Sequence, residues 1–357
     1  MTSRRDILKK GSAAIVGTSL AGCLGNPSGS DSEKLNLAIV SSPSGFGDKA
    51  FNDLALQGLQ KAKKKFGANI QKVQETNQSQ YQSVQSRLAE SSDPNYDVIV
   101  LVSYNHTKAL ETNAKEYSDQ NWMLINDTID RPNVAGYIWA NNEMAYQAGV
   151  LAGTMTTKSF SYKNSSTNPD KKAVGFVGGE DSPLIRAFEK SYIAGVHRMD
   201  KNINVNVGYA GTYTSPQKGK QIALSQYDNG ADIVFHAAAA TGQGIFQAAQ
   251  QKNRFGIGTD ADQSKTLSEY KDVIMGSSVK YINKGTFEVA KAVNNDKWDS
   301  VQGKNVLGLD DNGVKLVLGQ SVGSELPQEV QKNLDSSRKA IVDGDVKVPC
   351  TASGCNS

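Results

Sequence analysis

Histidine and cysteine are scarce in this chain of 357 residues, which has only three of each. The six residues are His106, His197, His236, Cys23, Cys350 and Cys355. Their scattered positions exclude the closely spaced ligand sets of structural zinc and iron–sulfur sites. The sequence therefore predicts neither a metal ion nor another cofactor.

An excess of charge of one sign is also missing, although the formal net charge is +3. That surplus lies in residues 1–22, where four basic residues face a single acidic one. The rest of the chain holds basic and acidic residues in equal number, whereas a nucleic-acid groove needs concentrated Lys and Arg. With 38% hydrophobic and 21% charged residues, the composition is typical of a globular protein of about two domains.

The N-terminal segment carries an export pattern. The Arg4-Arg5 pair precedes an apolar stretch over residues 11–20, and a Leu-Ala-Gly-Cys lipobox ends at Cys23. The apolar stretch is shorter than the roughly 20 residues that a membrane-spanning helix needs. We therefore expect a twin-arginine lipoprotein signal over residues 1–22, a lipid on Cys23 and a flexible tether over residues 23–34. The alternative is an N-terminal amphipathic helix of a cytosolic protein.

If the signal is used, the mature protein is exported and anchored to the outer face of the cytoplasmic membrane. In that oxidising compartment Cys350 and Cys355 could close a small disulfide loop, or they could remain free thiols. The sequence leaves both alternatives open. We assign residues 326–357 to a terminal helix and a cysteine-containing tail.

From Leu35 onward, short apolar segments alternate with amphipathic ones. The continuous apolar run within residues 97–102 is typical of a strand buried on both faces, and residues 53–66 show helical spacing of apolar side chains. A second series of the same plan begins near residue 173. Such repeats of strand, helix and strand predict an α/β fold with two doubly wound parallel-sheet lobes.

Each predicted lobe is assembled from two stretches of the chain. Lobe 1 takes residues 35–140 and about 264–295, and lobe 2 takes residues 141–263 and about 296–325. The last stretch includes an apparent hairpin within residues 306–317 and is too small to be a third domain. We expect it to cross back between the lobes as part of a multi-strand hinge.

Ligands of open parallel sheets lie beyond the carboxyl ends of the strands, so the loops after each predicted strand are the candidate site. These loops are rich in small, polar and aromatic residues. They span residues 41–52, 103–105, 126–127, 178–181, 236–244 and 259–263, followed by Lys280.

Several short motifs follow one another in these loops and the adjoining elements. They are Asp48-Lys49-Ala50-Phe51-Asn52, Val174-Gly175-Phe176-Val177-Gly178-Gly179 followed by Phe188 through Tyr192-Ile193-Ala194-Gly195, Gly230-Ala231-Asp232-Ile233-Val234-Phe235-His236 leading to Thr241-Gly242-x-Gly244, Gly258-Thr259-Asp260-Ala261-Asp262-Gln263, and Ser278-Val279-Lys280. In this order they resemble the basic membrane protein family of solute-binding lipoproteins, whose best-understood branch binds purine nucleosides for ABC import. The resemblance implies a two-lobed, hinge-closing fold like that of type I periplasmic binding proteins, and no enzymatic activity.

The resemblance also implies which residues contact a nucleoside. Phe51 is the candidate for one aromatic wall, since stacking on a base contributes roughly 1–3 kcal/mol. Asp48 and Asn52 belong to the same motif. The opposite wall is expected from the second lobe, where either Phe235 or His236 could serve. For Phe51 the alternative role is a core residue in the first turn of its helix.

Polar contacts are expected at other strand ends. Asn105 and Asp127 could read the edge of the base, because a buried amide or carboxylate left unpaired is costly. Asp260 fits an acceptor for the ribose diol and Lys280 a charged donor, while Gly242 lets backbone N–H groups approach. The alternatives are a turn or capping role for Asp260 and a solvated surface position for Lys280.

Two departures from the family pattern concern the same cleft. Ser41-Ser42 stands where the family usually has an acidic residue, and Ala239-Ala240 stands where it usually has glycines. The first weakens the case that the family's sugar contacts are preserved, and the second narrows the space beside the Thr241-Gly242 loop.

The sequence thus predicts a lipoprotein that binds a nucleoside, most simply a purine nucleoside, and delivers it to an ABC permease. One alternative is an exported nucleoside or glycoside hydrolase, for which Asp260 and Asp262 would have to supply paired carboxylates. Another is a ligand sensor for a membrane receptor that uses the same cleft.

Overall fold

A computed structural model describes residues 34–355. The predicted signal, the lipid-attachment residue Cys23 and nearly all of the predicted tether lie outside the described residues. Within residues 34–355, no helix combines the length and the apolar character needed to cross a bilayer.

The described chain alternates strands and helices over most of its length. The strands are β1 (Asn36–Val40), β2 (Asn69–Val73), β3 (Val98–Val102), β4 (Trp122–Ile125), β5 (Val134–Trp139), β6 (Ser161–Tyr162), β7 (Ser165–Ser166), β8 (Ala173–Gly178), β9 (Asn204–Tyr209), β10 (Ile233–Ala237), β11 (Phe255–Asp260), β12 (Ile274–Lys280), β13 (Gly303–Leu307) and β14 (Val314–Leu318). The helices are α1 (Phe51–Phe66), α2 (Tyr81–Ala89), α3 (Thr107–Glu116), α4 (Asn141–Thr156), α5 (Pro183–Met199), α6 (Pro216–Asp228), α7 (Gln243–Lys252), α8 (Gln263–Thr266), α9 (Ile282–Asn294) and α10 (Gln328–Val342).

Two six-stranded sheets form the framework, in the orders β13-β5-β4-β3-β1-β2 and β14-β12-β11-β10-β8-β9. The strands of the first sheet are all parallel, and in the second sheet only the edge strand β14 runs antiparallel, to β12. Central strands such as β3 are fully buried because helices cover both faces of the sheet. The α/β fold with two doubly wound lobes is therefore confirmed.

The polypeptide crosses between the sheets three times within the described residues, at Ala140, at Tyr281 and through residues 308–313. The three crossing segments are joined to each other. The Ala140 N–H donates to the Leu307 carbonyl at 2.8 Å, and the Tyr281 N–H donates to the Gly313 carbonyl at 3.0 Å. Such a bundle of short connections at one edge of both sheets can act as a hinge.

The third crossing is also held by side chains from two helices. The Glu143 carboxylate in α4 accepts from the Leu309 N–H at 2.8 Å, and the Arg338 guanidinium in α10 donates to the Leu309 carbonyl at 2.6 Å. Burial raises the pKa of the Glu143 carboxyl, and nearby Asp310 and Asp311 raise it further. The C-terminal helix thus packs on α4 and fixes the hinge loop from the side of the second lobe.

The sheets divide the chain differently from the predicted lobe boundaries. Strand β12, predicted for lobe 1, lies in the second sheet, and strand β13, predicted for lobe 2, lies in the first. The prediction of a hairpin within residues 306–317 is also wrong, because β13 and β14 join different sheets. Each strand has the apolar pattern of a sheet strand, but nothing local in the sequence specifies which sheet it joins. Helix α9 does pack on α1 of the first lobe, as predicted.

The tail after α10 folds back onto the second lobe. Cys350 and Cys355 form a disulfide, and the loop that they close is docked by hydrogen bonds. The Cys355 N–H donates to the Pro183 carbonyl at 2.9 Å, and the Ser191 hydroxyl donates to the Pro349 carbonyl at 3.0 Å. The tail therefore covers the N-terminal part of α5.

We expect replacement of both cysteines by serine to lower the free energy of unfolding by about 2 kcal/mol, because the small disulfide loop restricts the unfolded chain. Chemical denaturation of the wild type, with and without reductant, and of the double variant measures the effect. An unchanged midpoint in both comparisons would show that the closed loop contributes nothing to stability.

Candidate functional site

A cleft lies between the carboxyl ends of the two sheets, with an empty volume of about 530 Å³. Loops of both lobes line it. The lining residues are Ser42, Pro43, Ser44, Phe51, Ser103, Tyr104, Asn105 and Asn126 from the first lobe, and Leu184, Ile185, Phe188, Tyr213, Ala237, Ala238, Ala239, Thr259, Asp260 and Lys280 from the second.

Four of the eleven non-glycine residues with positive φ in the described part of the chain line the cleft. Ser103, Asn126, Ala239 and Asp260 have φ angles of 116°, 69°, 46° and 69°, in the region that favours glycine. Ser103 and Asn126 immediately follow β3 and β4, Ala239 lies two residues beyond β10, and Asp260 ends β11. Strained non-glycine residues cluster at ligand sites because the surrounding packing holds them there.

Aromatic and charged groups meet in the middle of the cleft. The Lys280 ammonium lies 2.9 Å from a carboxylate oxygen of Asp260 and 5.3 Å from the ring centroids of both Phe51 and Phe188. Phe51 belongs to the first lobe and Phe188 to the second. Lys280 is 3% exposed, so it is not the solvated surface lysine of the alternative interpretation.

Asp260 and Lys280 are the only charged residues among those that line the cleft in the described part of the chain. Because they carry opposite charges and form a salt bridge, the cleft is neutral as a whole. An unpaired cation that could neutralise a phosphate is therefore not part of the lining. The site can offer charge-assisted hydrogen bonds to hydroxyl groups without attracting a strongly charged solute.

Asn126 lines the cleft, whereas the sequence analysis predicted its neighbour Asp127 as the site residue. Its side chain is 7% exposed, and its amide oxygen Oδ1 has no hydrogen-bond partner in the structure. Asp127, proposed from the sequence to read the base, is not among the lining residues and instead accepts from the Thr107 hydroxyl at 2.6 Å. The left-handed φ of Asn126 turns the two neighbours in different directions, which the sequence could not show. Asn105, by contrast, does line the cleft.

Asp48 and Asn52 lie behind the lining rather than in it. The Asp48 carboxylate accepts from the backbone N–H groups of Ala50 and Asn52, and burial raises its pKa. The Asn52 amide group donates to the hydroxyls of Ser42 and Ser44 at 2.8 and 2.9 Å. These two motif residues therefore position the first loop, whose residues Ser42 and Ser44 line the cleft.

His236 and Gly242 also lie outside the lining. His236 is 1% exposed, and its Nε2 lies 2.8 Å from the amide oxygen of Gln263. An added Cβ at Gly242 would stand 2.1 Å from the His236 ring, so glycine is needed there for packing. Phe235 is fully buried among other aromatic rings. The second-lobe aromatic residues that do line the cleft are Phe188 and Tyr213. Phe188 belongs to one of the family motifs but was not predicted to form the wall, and Tyr213 was not predicted as a site residue.

The two carboxylates that the hydrolase alternative needs, those of Asp260 and Asp262, do not both line the cleft. Asp262 is absent from the cleft lining, and its carboxylate contacts Ser264 and Lys265. Residues 319–323 match the Gly-x-Ser-x-Gly pattern, but they follow the antiparallel edge strand β14 rather than a central strand that leads into a helix. Among residues 34–355, no group of His, Cys, Asp and Glu could hold a metal ion.

Two sheets joined by a hinge, with a lined cleft between their carboxyl ends, define a two-lobed solute-binding protein. The chain belongs to the Bmp family, described as "ABC transporter substrate-binding protein PnrA-like", which matches residues 35–352. This confirms the resemblance found in the sequence.

Individual relatives agree with that assignment. The chain is 31% identical over 338 residues to the "CD4+ T-cell-stimulating antigen" of Listeria monocytogenes, covering 89% of each chain. It is 29% identical over 356 residues to the "ABC transporter nucleoside-binding protein BmpA" of Lactococcus lactis, covering 92% of this chain and 94% of the relative. A solved solute-binding protein of an ABC transporter system from Aeropyrum pernix superposes with a TM-score of 0.77 at 22% identity, over 88% of this chain and 94% of the other. The fold like that of type I periplasmic binding proteins is thus confirmed.

Acid should weaken the packing under the cleft through His236. Burial lowers the pKa of His236 to about 4, although the Gln263 amide and Asp260 act in the opposite direction. Folding therefore favours the neutral imidazole, so the stabilisation is complete above the ordinary pKa near 6.5 and is lost as the pH falls toward 4.

The quantity of interest is the difference in free energy of unfolding between the wild type and a His236→Gln variant. We expect this difference to be about 2 kcal/mol smaller at pH 4.5 than at pH 7.5, because only the wild type has the buried imidazole. The difference between the two proteins is the quantity to measure, by denaturation, because the buried Asp232 carboxyl, whose pKa is raised to about 6, acts in the opposite direction in both. A difference that stays constant with pH would contradict the account of a buried neutral imidazole.

Proposed function

We propose that this solute-binding protein binds a nucleoside, with a purine base, between its two lobes and delivers it to the permease of an ABC importer. The observation that carries the proposal is a neutral cleft lined by aromatic side chains from both lobes, by a buried amide with an unpartnered oxygen and by a salt bridge. The relative from Lactococcus lactis is named a nucleoside-binding protein, which supports the same ligand class.

The base would be held by its faces and read at its edge. A purine is flat, and Phe51 from the first lobe, with Phe188 or Tyr213 from the second, offers rings for its faces. The free Oδ1 of Asn126 can accept a hydrogen bond from an N–H at the edge of the base. Asn105 lines the same side of the cleft and fits a second polar contact. A solute that cannot satisfy the buried Asn126 amide would lose about 1–3 kcal/mol.

The sugar would contact the salt bridge. Asp260 can accept from both hydroxyls of a ribose diol, and Lys280 can donate to their oxygens while it remains paired with Asp260. The serine hydroxyls of Ser42 and Ser44, held by Asn52, add neutral partners where the family usually has an acidic residue. No step in this scheme breaks a bond of the solute, so we propose binding without turnover.

We also propose that the protein is anchored outside the cell, on the basis of its N-terminal sequence. The twin-arginine pattern and the lipobox favour export and lipidation of Cys23, and similar proteins of three Pyrococcus species are named lipoproteins. Residues 23–34 would then tether the lobes to the outer face of the cytoplasmic membrane, within reach of the permease.

A thermal-shift panel tests the ligand class directly. On protein without residues 1–22, we expect adenosine, guanosine or inosine to raise the melting temperature, with a stabilisation of about 2.7 kcal/mol at 100 times Kd. Nucleoside monophosphates, free sugars and amino acids should stabilise less, because the cleft is neutral and lined by aromatic rings. If all three nucleosides fail while a sugar stabilises, the nucleoside proposal is wrong although the fold assignment stands.

A matched pair of phenylalanine variants tests the stacking wall. We expect Phe51→Ala to weaken nucleoside binding at least tenfold in isothermal titration, since stacking on one base contributes roughly 1–3 kcal/mol. Phe46→Ala is the control, because Phe46 precedes the same helix but is absent from the cleft lining. Equal affinities of the two variants would rule out the stacking role of Phe51.

A further inference from the structure

A hydroxyl cluster joins the two lobes across the cleft. The Tyr104 hydroxyl of the first lobe lies 3.2 Å from the Tyr213 hydroxyl and 3.5 Å from the Ser182 hydroxyl, both of the second lobe. Burial raises the pKa of Tyr213, and the adjacent Tyr104 raises it further. The Tyr213 phenol therefore keeps its proton at physiological pH, and the two hydroxyls are close enough to share a hydrogen bond.

The second lobe fixes Tyr213 in place through its own contacts. The Thr241 N–H donates to the Tyr213 carbonyl at 3.1 Å, and the Thr241 hydroxyl donates to the Thr212 carbonyl at 3.0 Å. The Tyr213 ring packs so closely on Gly179 that an added Cβ there would stand 2.2 Å from it. The position of the ring is thus built into the lobe and needs no contribution from a solute.

The cluster is far from the hinge. Tyr104 follows β3, which is separated from the hinge-side edge strand β13 by β5 and β4. Three strand spacings correspond to about 14 Å, so a hinge rotation of roughly 15° would separate the hydroxyls by about 4 Å more. Tyr213 follows the opposite edge strand, β9, of the second sheet. Opening of the cleft therefore breaks this contact.

We propose that Tyr104, Tyr213 and Ser182 form a latch that stabilises the closed arrangement of the lobes whatever solute is bound. The latch is a conformational device in addition to the binding contacts, and it does not depend on the nucleoside proposal. It adds to the closed-to-open ratio of the free protein and to the lifetime of the closed complex. A solute then has to supply correspondingly less of the free energy of closure.

The latch is tested on protein without solute by small-angle X-ray scattering. We expect Tyr104→Phe and Tyr213→Phe each to lower the closed-to-open ratio about fivefold, the effect of one net hydrogen bond. The double variant should equal Tyr104→Phe, because that substitution already removes the contacts with both Tyr213 and Ser182, whereas Tyr213→Phe leaves the contact between Tyr104 and Ser182 in place. The radius of gyration should rise accordingly, and dissociation of inosine, followed by stopped flow, should become about fivefold faster in each variant.

Two further variants separate the latch from other effects. Gly179→Ala keeps both tyrosine hydroxyls, but its methyl group would displace the Tyr213 ring. We therefore expect this variant to open the lobes as well. Tyr117→Phe removes a hydroxyl that bonds Glu90 within the first lobe, and it should leave the scattering unchanged.

The proposal would be overturned if Tyr104→Phe and Tyr213→Phe both scattered like the wild type. A loss of affinity that varies from one nucleoside to another, with unchanged scattering, would instead make the tyrosine hydroxyls solute contacts. These results do not bear on the ligand class, which the thermal-shift panel tests separately.

Discussion

Three chain crossings, hydrogen-bonded to one another at one edge of both sheets, hold the carboxyl ends of the two sheets opposite each other. All other features of the site depend on this constraint. Parallel strands bring their ends to a common edge, so the loops of each sheet form one half of the cleft. Because the crossings are short and lie together, the lobes can rotate about them while each sheet stays rigid.

The buried pair of Lys280 and Asp260 depends on this arrangement most directly. Lys280 and Asp260 are the last residues of the neighbouring strands β12 and β11, and a carboxylate oxygen of Asp260 lies 2.9 Å from the Lys280 ammonium. A buried ion pair is costly unless its remaining hydrogen-bonding capacity is used. Hydroxyl groups of a solute would use that capacity, which gives the closed cleft a reason to prefer a polyhydroxylated ligand.

Much of the fold could be predicted from the sequence, because strand and helix patterns are local. The run 97–102 and the helical spacing of residues 53–66 correspond to β3 and α1. The assignment of β12 and β13 to sheets could not be predicted, since pairing partners are chosen by tertiary packing. The candidate site was predicted in part: Phe51, Asn105, Asp260 and Lys280 line the cleft, whereas His236 and Gly242 lie beneath it. Asn126 was missed because a left-handed backbone angle, invisible in the sequence, decides which of two neighbouring side chains faces the cleft.

A crystal structure of the protein grown with inosine tests the central claim most directly. We expect the purine ring against Phe51, the ribose hydroxyls at Asp260 and Lys280, and the Asn126 amide at the edge of the base, with both lobes in contact with the nucleoside. Inosine bound outside the cleft, or held by one lobe alone with Phe51 and Asp260 turned away, would contradict it.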